Sequence, residues 1–179
     1  MSLSWESYHE IHSIMVRIHM GLNQARWDDL AEIFDGVTLV TKYTWSDVPL
    51  VAEGGRRISD GYRETIRLHN GLPRVQYTLT NVLLDGDDQA GTANSWSQYF
   101  AIAGNERTWN GGRGVDGETG ADAAHLEVFI GGRYEDEFVR GERGWRLVQR
   151  TCHADFTGDR SVHLKLDPYE ARTIRAANP

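Results

Sequence analysis

The sequence has one cysteine, Cys152, and four prolines in 179 residues. A single cysteine excludes an intrachain disulfide and is too little for a thiolate zinc centre. So few prolines, with no low-complexity tract, argue against extensive disorder. Long apolar runs are missing too, and none approaches the roughly 18 residues of a membrane span. The opening Met1-Ser2-Leu3-Ser4-Trp5-Glu6 lacks the basic-then-apolar layout of a signal peptide. A soluble cytoplasmic protein is therefore expected. Positive charge is also short: 19 Lys and Arg face 26 Asp and Glu, a formal net charge of −7. That balance lacks the footprint of a nucleic-acid binder and does not suit an anionic membrane surface. Gly111-Gly112-Arg113-Gly114 lacks the Lys-Ser/Thr pair and the following helix of a phosphate loop. What is plentiful is aromatic: six Trp and seven Tyr. A chain of this length makes one domain and buries roughly 70% of its unfolded surface without a metal or disulfide staple.

The order of patterns sets the fold class. Residues 5–23 predict a helix, with Ile11, Ile14, Met15, Ile18 and Leu22 on one stripe and Ser7 and Glu10 at capping-box spacing. Residues 27–35 predict a second helix, closed by Gly36. Val37–Trp45 is β-branched and aromatic, hence a strand. A turn-rich stretch holding Pro49, Gly54 and Gly55 follows, and Ser59 can cap a third helix reaching His69. The second half alternates with period two over Val75–Leu84, Ala90–Ala103, His125–Arg140 and Gly144–Phe156. Asp85-Gly86 is a hairpin signal. Residues 104–121 form a long glycine-rich loop in which Trp109 suggests a lid or subunit contact, and 157–179 a tail after a domain over 1–156. Helices followed by an antiparallel meander indicate α+β, with three N-terminal helices on one face of a bent antiparallel sheet.

Several segments carry a resemblance. Asn23–Phe34, Gly61–Ile66, Gly131–Phe138 and Gly144–Arg150 resemble the matching stretches of SnoaL-like proteins of the NTF2-like superfamily. The resemblance implies a cone-shaped fold with an internal pocket. Such proteins include scytalone dehydratase, a dehydrochlorinase, polyketide cyclases and cofactor-free lyases of aromatic compounds. Others are non-catalytic small subunits of ring-hydroxylating dioxygenases, so the fold alone assigns no activity. Family dehydratases carry an Asp and a His where this chain has Asn23 and Tyr77, and that base pair is absent here. Arg150 matches a catalytic arginine of the dehydrochlorinase, and Tyr43 resembles a pocket tyrosine of scytalone dehydratase. The family pattern also favours Trp96, Gln98 and Phe100 over Tyr99 as pocket residues.

The residues themselves suggest how the gap is filled. His19 shares a helix face with Asn23 at i−4 and is a candidate base, with His153 in reserve. Asn23 reads equally as a helix-end cap or a substrate contact. Asn81 has the strand parity of Tyr77, so both are expected on one face. The catalytic candidates are thus His19, Tyr43, Tyr77 and Arg150. The substrate-binding candidates are Asn23, Asn81, Trp96, Gln98, Tyr134 and His153. His9 and His12, at i and i+3, read as a solvated helix face, and no metal or cofactor is expected. The expected function is that of a cofactor-independent lyase on an aromatic or polycyclic small molecule, by loss of water or retro-aldol cleavage. The alternative is a non-catalytic binding or partner subunit with the same fold. A homo-oligomer, dimer or trimer, is expected, with no nucleic-acid or membrane partner.

Overall fold

The computed structural model describes residues 2–104 and 126–157. Trp109, the rest of its loop beyond Gly104 and the tail from residue 158 lie outside the described residues. Helix α1 runs Trp5–Asn23 and buries Ile11, Met15, Ile18 and Leu22, the stripe its periodicity predicts. Its N-cap is Ser4, whose Oγ accepts the Ser7 N–H at 3.2 Å. The expected Ser7–Glu10 box does not form, because Glu10 instead accepts the Trp145 N–H at 2.9 Å and ties the helix to the last hairpin. No helix among the described residues is long and apolar enough to cross a membrane.

Helix α2 is short, Trp27–Ile33. Strands β1 (Thr38–Tyr43) and β2 (Ser46–Glu53) then pair antiparallel, so most of the expected turn-rich stretch is strand. Pro49 is tolerated because β2 is a sheet edge, where one row of N–H groups needs no partner. Helix α3, Gly55–Thr65, begins four residues before its expected cap. A Cβ on Gly55 would lie 1.8 Å from the Ala31 carbonyl oxygen, so glycine here lets α3 press onto α2. Ser59 lies inside the helix and donates to the Trp27 carbonyl. A two-residue hairpin, β3 (Leu68–His69) with β4 (Leu72–Pro73), replaces the end of the expected third helix.

The meander is β5 (Val75–Asp87), β6 (Thr92–Gly104), β7 (Leu126–Gly141) and β8 (Gly144–Thr157). The β5–β6 turn falls just beyond Asp85-Gly86, where Asp87 Oδ1 accepts the Gln89 and Ala90 N–H groups. The six strands are ordered β2-β1-β8-β7-β6-β5 in an open sheet. All neighbours are antiparallel except β1 and β8, which pair in parallel, so the sheet is mixed and not wholly antiparallel. Bulges at Thr80/Leu83, Ala101/Ile102, Gly131/Gly132 and Glu137/Phe138 bend it. At the third, a Cβ on Gly132 would meet the His153 carbonyl oxygen at 1.8 Å, so glycine permits the fold of the strand. The helices pack on the concave side, where Leu30, Phe34, Ile58, Phe138, Trp145 and Leu147 complete the core. This is the α+β arrangement that the helix-then-meander order predicts, bent into the cone that the resemblance implies.

Candidate functional site

The core does not fill the concave side. Beyond Leu22, the last buried residue of α1, a cavity of about 110 Å³ remains. That is smaller than an engineered cavity of about 150 Å³ that holds one benzene, and this one opens toward solvent. Its wall is unusually rich in one side chain. Tyr43 comes from β1, Tyr62 from α3, Tyr77 from β5, Tyr99 from β6 and Tyr134 from β7. Thr41, Thr65 and Cys152 add two hydroxyls and a thiol, and Leu22, Ile66, Ile130 and Ala154 supply apolar surface. No side chain with a formal charge is among these lining residues.

The polar groups of the wall are kept neutral by burial. Desolvation pushes the hydroxyls of Tyr62, Tyr77, Tyr99 and Tyr134 well above the usual phenol range, and the neighbouring Cys152 adds to this. Burial likewise pushes the Cys152 thiol up to about 11. Tyr99 Oη and Cys152 Sγ share a hydrogen bond at 3.3 Å. Tyr43 and Tyr77 are close enough for each to feel the other. The described residues of the wall can therefore donate and accept hydrogen bonds, but they offer no fixed charge.

Tyr134 is the most constrained of the five. The Tyr99 ring stacks on one face, 4.2 Å between centroids and 18° between planes. The Arg150 guanidinium carbon lies over the ring, 4.2 Å from its centroid. Two groups at that distance must occupy opposite faces. His19 meets the ring edge-on at 5.5 Å. Behind this stack, Arg150 is 1% exposed and forms a fork with Asp136, Nε to Oδ1 and Nη2 to Oδ2, both 2.7 Å. Burial opposes the charge of Arg150, but Asp136 outweighs it and holds the guanidinium more firmly protonated than usual. Ser95 Oγ donates to Asp136 at 3.3 Å.

Of the expected catalytic residues, Tyr43 and Tyr77 thus stand in the wall, while Arg150 and His19 stand behind it. The expected pocket cation is committed to Asp136. His19 is 5% exposed and donates Nδ1–H to the Met15 carbonyl at 2.9 Å, which leaves Nε2 as an acceptor with no partner. Burial first, then the charge of Arg150, pushes its pKa down to about 4, so it is neutral near pH 7. Asn23 uses both ends of its amide on the Tyr77 backbone. Oδ1 accepts the N–H at 2.7 Å and Nδ2 donates to the C=O at 3.0 Å. That contact imitates a strand neighbour and fixes Tyr77 against the end of α1.

The other expected contacts divide by face. Tyr134 lines the cavity, but Asn81, Trp96, Gln98 and His153 do not. The bulge at Thr80/Leu83 reverses the parity of β5, and Asn81, at φ 50°, turns outward to donate to Gln98. On β6 the inward positions are Ala93, Ser95, Ser97, Tyr99, Ala101 and Ala103, so Tyr99 is 4% exposed and Trp96 39%. Phe100 shares the outward parity of Trp96. The expectation of Trp96, Gln98 and Phe100 in the pocket is corrected by that alternation. The run of small residues at odd positions was the available signal, because the concave face is the crowded one. His153 lies on the outer face with Arg133, whose Nη2 donates to its Nδ1 at 3.2 Å, and with Glu135 3.3 Å from its Nε2. Tyr62, Thr65 and Cys152 in the wall, and Asp136 behind it, were not singled out by sequence reasoning. His9 and His12 belong to an aromatic ladder on α1 in which Tyr8 stacks on both Trp5 and His12. No group of three or more His, Cys, Asp and Glu side chains suited to a metal occurs among the described residues.

The model of the SnoaL-like domain family matches residues 4–151. Several solved structures are similar. One is a protein of unknown function with a cystatin-like fold from Nostoc punctiforme, at 15% identity, covering 87% of this chain and 96% of that one, with a TM-score of 0.61. Another is the beta subunit of a provisionally assigned aromatic-ring-hydroxylating dioxygenase from Novosphingobium aromaticivorans, at 14% identity, 87% and 94% coverage and a TM-score of 0.58. A third is a provisionally assigned scytalone dehydratase from the same organism, at 18% identity, 83% and 84% coverage and a TM-score of 0.53. At such identities the likeness carries the fold alone. No curated protein matches the chain.

Proposed function

This chain belongs to the SnoaL-like domain family and has an NTF2-like fold, and on that premise we propose that it is a cofactor-independent lyase acting on a single-ring aromatic molecule. The observation that carries this reading is the cavity wall of five tyrosines, with no fixed charge among its described residues. Tyrosine rings give a flat ring apolar contact, and their hydroxyls can donate to an oxygen substituent.

Loss of water fits this wall better than retro-aldol cleavage, because one tyrosine can serve it twice. Tyr77 Oη donates its proton to the departing hydroxyl, the C–O bond breaks, and water leaves. In the same step its oxygen takes the proton from the adjacent carbon, whose C–H electron pair becomes the new C=C bond, so no free tyrosinate stands in a wall that disfavours charge. The enzyme ends as it began, and no separate base is required. Tyr43, beside Tyr77, steadies the charge that develops. Asn23 holds the Tyr77 backbone and so aims the hydroxyl. In this scheme Arg150 and His19 support Tyr134 and do not touch the substrate.

A β-hydroxy aryl ketone is a suitable probe, since loss of water gives a conjugated enone with a new ultraviolet absorbance. Wild-type protein should produce it, and Tyr77→Phe should lower the rate by about 100-fold or more with the fold intact. One observation favours a second reading. No carboxylate or imidazole is among the lining residues, as suits a non-catalytic binding or partner subunit. Binding of the ketone without turnover would select that reading. Assembly into a dimer or trimer belongs to either reading and is measured by sedimentation.

A further inference from the structure

Asp136 lies on β7 two residues from Tyr134 and is 1% exposed. Both of its carboxylate oxygens face the Arg150 fork, and Oδ2 also accepts from Ser95. Arg150 in turn lies over the ring of Tyr134, which lines the cavity. A full positive charge therefore sits one aromatic ring away from the cavity, and its partner offsets part of it there. The geometry points to Asp136 as the residue that makes this pocket select uncharged ring compounds over ring carboxylates, by holding the charge of Arg150 in a neutral pair behind Tyr134.

The inference rests on the reading of the cavity as a ring-binding site, and it adds the charge class of the ligand. A carboxylate entering the cavity sheds its water and meets hydroxyls, a thiol and apolar groups, with no cation among the described lining residues. Burying an ion on those terms is costly. Only an unneutralised Arg150 would offset that cost, and its Nε and Nη2 are already held by Asp136. An amide, phenol or ketone asks for one or two hydrogen bonds, which tyrosine hydroxyls can both give and accept.

The test compares ligands of one shape and different charge. The full chain is titrated by calorimetry at pH 7 with phenol, benzamide and benzoate. Benzamide and phenol should bind, and benzoate should bind about 30-fold more weakly than benzamide, or worse. In Asp136→Asn the side-chain shape is kept and the charge of Arg150 is freed, so the ratio of benzoate to benzamide affinity should rise about tenfold or more. If Asp136→Asn does not fold, Arg150→Gln tests the same cancellation with the opposite sign. There benzylammonium should gain about tenfold on benzamide. Wild-type binding of benzoate as tight as that of benzamide would overturn the inference, as would an unmoved ratio in a folded variant. Failure of all three ring compounds to bind wild-type protein would instead defeat the ring-binding reading itself.

Discussion

Strands β6, β7 and β8 carry two different surfaces on alternate residues. Their concave side holds Tyr99, Tyr134, Asp136, Arg150 and Cys152, all turned toward the helices. Their outer side holds Trp96, Gln98, Arg133, Glu135, His153 and Asp155. Each side has an arginine–aspartate pair of nearly equal length. Arg150 meets Asp136 at 2.7 Å, and Arg133 meets Asp155 at 2.9 Å. The inner pair is sealed at about 1% exposure, whereas the outer side chains are 35% and 38% exposed. Water competes for the outer pair and not for the inner one, so similar geometry has different consequences. Inside, the pair removes a charge from the neighbourhood of a cavity. Outside, it decorates a solvated face.

The largest expected effect breaks the inner pair. Arg150→Ala leaves Asp136 buried and uncompensated and should lower stability by about 3–5 kcal/mol. Arg133→Ala on the outer side should cost about 1 kcal/mol or less. Urea unfolding of both variants measures the difference, and equal losses would erase the distinction between the two faces.

The second effect uses pH. The folded-state pKa of His19 is pushed down to about 4 from the ordinary imidazole value of 6.5. Between these values the unfolded chain binds the proton and the folded chain does not. The stability that neutral His19 contributes is thus present above pH 6.5 and lost as pH falls toward 4. The loss amounts to about 3 kcal/mol. It should appear as a fall in unfolding free energy over that window, and His19→Leu should flatten this part of the curve. An unchanged slope in the variant would mean that other groups carry it.

A smaller effect tests the clamp on Tyr77. In Asn23→Asp the Nδ2 donor is lost, and two acceptors face the Tyr77 carbonyl. The cost should be about 1–3 kcal/mol by urea unfolding. Equal stability would mean that the Tyr77 backbone finds another partner.

The smallest effects sharpen the division of the sheet. Trp96→Ala should change benzamide affinity by less than about twofold, whereas Tyr99→Ala should weaken it by about tenfold or more. The Cys152 thiol, pushed up to about 11, should label slowly with a thiol reagent at pH 7 and rapidly after unfolding. Benzamide should slow labelling of the folded protein further. A thiol as reactive as a free cysteine would contradict its burial beside Tyr99.

Much of this architecture was legible as pattern. The stripe Ile11–Met15–Ile18–Leu22 gave α1, and the period-two runs gave four long strands near their observed limits. Tyr43 and Tyr77 could be singled out because the resemblance implies pocket residues at those positions, and Tyr134 lies in a stretch that carries the resemblance. Asn81 could not be placed, because one extra residue in β5 reverses every later side chain. Trp96 was favoured by the family pattern, yet face assignment follows alternation, and Ala93, Ser95 and Ser97 already marked the crowded side. Arg150 was legible as an important cation but not as a committed one. Its partner lies fourteen residues back across a hairpin, and strand register is not written in local sequence.

The sequence by itself determined the class of the molecule: an acidic chain, helices before a meander, and a surplus of tyrosine. Those are properties of periodicity, composition and charge, which act locally or as sums. Only the tertiary structure decided that five tyrosines from five elements share one cavity, that Asn23 is spent on a backbone, and that Asp136 neutralises Arg150 behind Tyr134. These depend on bulges, on the parallel pairing of β1 with β8, and on the exclusion of water from one face of a sheet. Each is a cooperative result of packing distant segments together, and no residue carries it alone.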